Sequence, residues 1–223
     1  MMKKLLFVLG FLWVCTVIRA QDSQITQDPA AGVILDRVAA KTSRMKSIQA
    51  DFELIIEDRK EKTRNSAAGS LLLKQNKYRI ISGGSTILYD GKTMWTYVEE
   101  NNEVTVTEPD IQEGDLFSNP YRILALYKSD FKYRYVREVT RNGTRYHEID
   151  LFPKNLDQSY SRIKLYTGVK DDMPQIITSV GKDGIDYTVY LKNFLLDREI
   201  GDATFVFDPA MYKKVEVIDM RGL

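Results

Sequence analysis

The side chains that most often carry catalysis are scarce in this sequence. Its 223 residues hold one histidine, His147, and one cysteine, Cys15. A serine or cysteine hydrolase of the common kind needs a histidine beside its nucleophile. His147 instead lies in Arg145-Tyr146-His147-Glu148, a strand-like run, and reads as structural; no Gly-x-Ser-x-Gly elbow is present. With so few soft donors, only carboxylate clusters remain as metal ligands. Asp171-Asp172 reads as ordinary turn chemistry. Gly83-Gly84 joins two strands rather than opening a helix, so it is no phosphate loop. Asn142-Gly143-Thr144 has the spacing of a glycosylation acceptor but reads as a hairpin turn. A carboxylate-pair glycosidase stays open on pattern alone, because Asp and Glu are plentiful and only a cleft brings two of them face to face. The inventory points to a binding protein, not an enzyme, with no cofactor and no metal.

The elements that would position a binding surface begin after an export leader. Lys3 and Lys4 precede an apolar stretch from Leu5 to Ile18, and Ala20 offers a small residue at the cut. About 14 apolar residues are too few for an anchor, which needs roughly 20. Residues 1–20 are therefore expected to be a signal peptide, 21–27 a flexible N-terminus, and 28–223 one domain. Cys15 would leave with the leader, so the exported chain would rely on its core and not on disulfides. Losing Lys3, Lys4 and Arg19 moves the formal charge from +1 to about −2. Basic residues are interspersed with acidic ones, which argues against nucleic-acid binding.

From Asp28 to Met45 the pattern is helical. Asp28 can cap the free amides and Pro29 fits the first turn. Ala31, Leu35, Val38 and Met45 share a stripe opposite Asp36, Arg37, Lys41 and Arg44. After Ser47 the period becomes two: Ile48, Ala50, Phe52, Leu54 and Ile56 share one face. A charged loop, Arg59 to Arg64, leads to further strands near 69–74, 77–82, 86–89, 94–98 and 103–107. A short apolar helix is expected at Pro120–Lys128, followed by strands near 131–138, 145–152, 160–166, 175–180 and 185–193. One strand or two follow in the C-terminal piece. Ten or eleven strands at hairpin spacing make one large antiparallel meander, mainly β with some α. Such a sheet must curl, and the two helices are available to cover its concave face.

The order Ile48-Gln49-Ala50-Asp51-Phe52, Gly69-Ser70-Leu71-Leu72-Leu73-Lys74, then Leu88-Tyr89-Asp90-Gly91-Lys92-Thr93-Met94-Trp95-Thr96-Tyr97, then a Pro-led apolar segment at Pro120–Leu126, resembles the periplasmic outer-membrane lipoprotein carrier family, LolA. The Asp-Gly-Lys-x-x-Trp-x-Tyr run is its most specific part. The resemblance implies an unclosed β-barrel, a large curved antiparallel sheet covered by two or three short helices that form a lid over an apolar cavity. It also implies a function: accepting acylated lipoproteins from an inner-membrane lipoprotein-releasing transporter, shielding their acyl chains across the periplasm, and passing them to an outer-membrane acceptor. At about 0.8 kcal/mol per CH₂, a 16-carbon chain represents on the order of 12 kcal/mol, so unaided escape through water would be slow. The chain departs from the family at Lys74-Gln75-Asn76-Lys77. There the family commonly carries an arginine that helps hold the lid shut, and Gln75 is uncharged.

The acyl-chain site is expected at Phe52, Leu54 and Ile56 of the first strand, Leu71, Leu73, Tyr78 and Ile80 of the next two, and Tyr121, Ile123, Leu124 and Leu126 of the lid. Tyr78 stands in for the family's aromatic position near the arginine. Alternation says which residues share a face, not which face is concave, and ordinary core packing competes for each of them. The alternative function is a lipid- or lipoprotein-sensing periplasmic regulator with the same fold. Relatives of that kind carry an added C-terminal domain, whereas about 30 residues follow Asn193 here. A monomer is expected.

Overall fold

Asp28 caps the first helix, as its place before Pro29 predicts. In the computed structural model, which describes residues 27–109 and 127–222, its Oδ1 accepts from the Ala30 amide at 2.9 Å and opens α1 (Pro29–Thr42). Oδ2 accepts from the Tyr135 amide at 2.9 Å, so one carboxylate both caps the helix and ties it to the sheet. Ala31, Ile34, Leu35 and Val38 form the buried face. Burying each larger aliphatic side chain contributes roughly 1.5–3 kcal/mol. The helix stops short of the Met45 limit expected from the sequence.

The strands are β1 (Ile48–Asp58), β2 (Thr63–Lys74), β3 (Lys77–Ser82), β4 (Ser85–Tyr89), β5 (Met94–Val98), β6 (Glu103–Thr107), β7 (Phe131–Arg141), β8 (Thr144–Pro153), β9 (Tyr160–Gly168), β10 (Pro174–Gly181), β11 (Ile185–Leu196) and β12 (Glu216–Asp219). Among the described residues they form one sheet of 12 strands in the order β12-β6-β5-β4-β3-β2-β1-β11-β10-β9-β8-β7. Two meanders, β1 to β6 and β7 to β11, are joined by antiparallel pairing of β1 with β11. β7 and β12 end the order without meeting, so the barrel is unclosed, as expected.

Turn chemistry fixes the hairpins. Asn142 (φ 49°) and Gly143 (φ 77°) are the two-residue loop between β7 and β8, and Gly83 (φ 57°) and Gly84 (φ 76°) do the same between β3 and β4. Two strand expectations need correction. β2 starts at Thr63 and not near Gly69, because its polar first half pairs with β1, Thr63 opposite Asp58. No alternation marks that half. The meander is also not wholly antiparallel: β12 runs parallel to β6. The chain leaving β11 passes two 3₁₀ turns, Asp202–Phe205 and Pro209–Met211, before it reaches that edge.

Each face of the sheet has its own packing. On the concave side α1 covers Phe131, Tyr133, Ile149, Leu151, Ile163 and Leu165, with Tyr127 of the short helix α2 (Tyr127–Asp130) beside them. On the outer side Leu88 and Val104 pack with Trp95, Tyr97, Phe207 and Tyr212. The expected leader and all of the predicted lid helix except Tyr127 and Lys128 lie outside the described residues, Tyr121, Ile123, Leu124 and Leu126 among them.

Candidate functional site: an apolar hollow in the sheet

Cross-strand register explains why the half of the concave face away from α1 is hollow. One row across the strands reads Leu191, Phe52, Gly69, Ser82, Ser85, and the next Ala50, Leu71, Ile80, Ile87. Gly69, Ser82, Ser85 and Ala50 are small residues where a filled core would carry large ones. The resulting cavity of about 310 Å³ is walled by Ile48, Ala50, Phe52 and Leu54 from β1, Leu71 and Leu73 from β2, and Ile80 and Ser82 from β3. Ser85 and Ile87 of β4, Pro174 and Ile177 of β10, and Val189, Leu191 and Phe194 of β11 complete the sheet side. Thr42 at the end of α1 and Met173 before β10 complete the described lining. The walls carry no charged side chain, and Thr42, Ser82 and Ser85 supply the only hydroxyls among the described lining residues. The Thr42 hydroxyl already donates to the Val38 carbonyl at 2.9 Å.

A bulge sets the last wall residue. Asn193 takes φ 55°, and two residues of β11, Asn193 and Phe194, stand against one of β1, Ala50, between the pairs Asp51–Lys192 and Gln49–Leu195. The extra residue returns Phe194 to the cavity face after Leu191, which strict alternation would not do. Asn193 Nδ2 donates to Asp51 Oδ2 at 2.9 Å on the outer side.

Of the residues singled out from sequence, Phe52, Leu54, Leu71, Leu73 and Ile80 line the hollow. Tyr78 does not. It is 1% exposed, its ring centroid lies 5.1 Å from that of Tyr89, and its hydroxyl meets Met94 Sδ at 3.7 Å. Burial pushes its pKa well up. It stands opposite Leu73, which is the last lining residue of β2. Ile56, one row past Leu54, sits opposite Asn65 and Tyr187 and outside the lining. The lid residues are not described. Sequence reasoning missed Ile87, Ile177, Val189, Leu191 and Phe194. Ile87 stands opposite Ile80 across a local hairpin, whereas the β1–β11 pairing that brings Val189, Leu191 and Phe194, with Ile177 on the next strand, to Phe52 and Leu54 spans more than 130 residues.

Gln75 takes φ 55° in the β2–β3 turn and borders a second groove of about 450 Å³ beside α1, which shares Thr42, Ile48 and Leu73 with the first. Its neighbours Lys74 and Lys77 turn outward to Asp202, at 2.7 and 2.6 Å. The Asp-Gly-Lys run is built as a turn: Asp90 Oδ1 accepts from the Lys92 and Thr93 amides at 2.9 and 2.8 Å. Trp95 and Tyr97 that follow face the outer cluster and not the cavity, Tyr97 lying 4.5 Å from Tyr212.

His147 lies away from the hollow. Its Nδ1 is buried without a hydrogen-bond partner, 4.0 Å from Glu138 Oε1. No group of three metal-ligating side chains occurs among the described residues, and none of their helices is long and apolar enough to cross a membrane.

The family model described as outer membrane lipoprotein carrier protein LolA matches residues 26–178. An uncharacterized protein of Methanocaldococcus jannaschii is 25% identical over 185 residues, 82% of this chain and 53% of that protein. The chain thus spans about half the length of this curated relative. An uncharacterized conserved protein from Thermus thermophilus superposes with TM-score 0.57 at 14% identity, covering 85% of this chain and 99% of the other. A DUF1329 family protein from Desulfovibrio piger gives 0.52 at 11%, covering 84% and 100%. These two likenesses speak to the fold alone.

Proposed function

The chain belongs to the outer membrane lipoprotein carrier family, LolA, and from that premise we propose that it is a periplasmic carrier sheltering lipoprotein acyl chains in the hollow of its sheet. The observation that carries this reading is the cavity of about 310 Å³ whose described walls hold apolar side chains and three hydroxyls but no charge. Such walls offer an acyl chain release from water and dispersion contact, and no directional bond that would select a head group. Holding by burial alone suits a carrier, which must surrender its cargo to an acceptor that buries the same chain better.

In this reading Phe52, Leu54, Leu71, Leu73 and Ile80, with Ile87, Ile177, Val189, Leu191 and Phe194, contact the acyl chain. The donor is an inner-membrane lipoprotein-releasing transporter and the recipient an outer-membrane acceptor. The protein binds and does not make or break bonds.

The test is displacement. Purified protein stripped of lipid is loaded with a fluorescent fatty-acyl probe and titrated with an acylated lipoprotein N-terminal peptide or with the same peptide lacking its acyl groups. Displacement by the acylated peptide alone is expected. Equal displacement by both, or failure to bind the probe, sinks the reading.

A further inference from the structure

The outward-facing positions of β7, β8 and β9 gather six cations, Lys132, Arg134, Arg137, Arg141, Arg162 and Lys164, against two carboxylates, Glu148 and Asp150. The two acids are 5% and 3% exposed, so they lie beneath the cations and not among them. Asp150 Oδ2 accepts from Arg134 at 2.8 Å and from Arg162 at 3.4 Å. Glu148 Oε2 accepts from Arg137 at 3.0 Å and Oε1 from the Tyr166 hydroxyl at 2.9 Å. Arg141 donates to that same hydroxyl at 3.1 Å and lies 4.5 Å from the centre of its ring. Arg134 lies 5.5 Å from the ring of Phe152.

Each guanidinium has five N–H donors and spends one or two on these anchors. Fixed by buried acids and aromatic platforms, the Arg groups keep their remaining donors toward solvent. Arg137 and Arg134 remain 66% and 49% exposed. The outer face of β1 and β11 has the opposite sign, with Asp51, Glu53, Glu57 and Asp186 against Lys192. Asp186 and Glu57 there are paired with Arg59 at 3.3 Å and Arg64 at 3.6 Å, so the excess positive charge of the sheet's back gathers on the β7–β9 side, in a chain of nearly zero net charge.

We infer that this basic strip docks the protein, back first, on an anionic phosphate-bearing membrane surface. Charge complementarity identifies the occupant: guanidinium forks match phosphate oxygens, and cations near an anionic leaflet each add to binding. A stable protein partner would need an apolar centre to its interface, whereas here the rings of Tyr166 and Phe152 sit under guanidinium groups. Docking by the back leaves the hollow side free, so the carrier stays near a membrane without emptying. This docking is independent of what the cavity holds.

The experiment uses the full purified chain, free of acyl ligand, with vesicles of phosphatidylglycerol mixed into phosphatidylcholine and vesicles of phosphatidylcholine alone. Binding to the mixed vesicles that weakens as salt is raised, and no binding to the neutral ones, is expected. Lys132→Gln with Lys164→Gln leaves no buried carboxylate without its arginine and should weaken partition by about tenfold or more, at an unchanged melting temperature. Arg141→Gln serves as an independent second variant with the same expected direction. Absence of vesicle binding, equal binding to neutral vesicles, or binding that neither variant alters overturns the inference. So does binding to poly-glutamate with vesicles ignored, which assigns the strip to an acidic protein. Acyl-probe binding, measured separately on the same variants, stays unchanged if only the docking surface is touched.

Discussion

The ring of Phe52 lies across Gly69 on the neighbouring strand, occupying the space where a side chain would stand. A Cβ built on Gly69 comes within 2.3 Å of both Phe52 Cζ and the Ile81 carbonyl oxygen. The two residues are paired across β1 and β2, and both Phe52 and the small side chains beyond Gly69 border the hollow. The glycine of the Gly-Ser-Leu run is thus required by close approach, not by a special φ, and it lets an aromatic wall lie flat against the sheet.

Gly69→Ala is expected to destabilise the protein by about 1–3 kcal/mol, the usual result of overpacking, since backbone as well as ring stands in the way. It should also drive Phe52 into the hollow and weaken acyl-probe binding. Urea unfolding and probe titration check the two effects. An alanine variant as stable as the parent would mean that the ring does not need the glycine.

Ile87→Trp places a large ring in the cavity wall opposite Ile80. Acyl affinity should fall at least about tenfold, because lost cavity is lost burial at roughly 25 cal/mol per Å², while the circular dichroism spectrum stays that of the parent. Tyr78→Phe is the contrasting variant: it removes a buried hydroxyl whose contact is Met94 sulfur and leaves the lining untouched, so affinity should hold. Equal loss in both variants would detach the hollow from binding.

The sheet was legible because its signals are local. Gly83-Gly84 and Asn142-Gly143 announce two-residue turns, and Ile48 to Leu54 alternate as a half-buried strand must. What stayed hidden was non-local. No residue near Leu191 says that its strand pairs with β1, and Thr63 to Ser66 form a strand only because β1 is there to bind them. The choice of concave face was likewise not in the alternation. It follows from Gly69, Ser82 and Ser85 falling on one row, which becomes visible only once register is known. Tyr78 stands opposite Leu73, yet it lies outside the lining.

Asp202 holds the segment that crosses the outside of the sheet. Hydrogen bonds from Lys74 and then Lys77 pull its carboxyl down to about 2, below the unfolded value near 4. A depressed carboxyl stabilises the fold above its unfolded value, and that contribution is lost as pH falls through about 2. Amide protection factors between Asp202 and Asp219, taken against the intrinsic exchange rate at each pH, should therefore fall on acidification below about pH 4. Asp202→Asn should show the faster exchange already at neutral pH, with the cavity strands still protected. Unchanged protection in the variant would mean that the segment is held without Asp202, by the burial of Phe205 and Phe207, the Asn102 side chain and the β12–β6 pairing.

His147 gives stability a pH dependence of its own. Burial lowers its pKa, the Glu138 and Asp172 carboxylates oppose that shift, and the Arg37 and Arg145 guanidiniums add to it. The folded chain thus resists a proton that the unfolded chain accepts from about pH 6.5 downward. Its contribution is whole above that value and is lost as pH falls toward the folded pKa. Urea midpoints should decline between about pH 7 and 5.5, before most carboxylates titrate. His147→Phe keeps a ring beside Tyr135, whose centroid lies 5.9 Å away, and removes the unpartnered Nδ1. The variant should match or exceed the parent at neutral pH, because a buried polar atom without a partner has been replaced by carbon, and its midpoint should change less across the window. A decline as steep as the parent's would place the titrating group elsewhere.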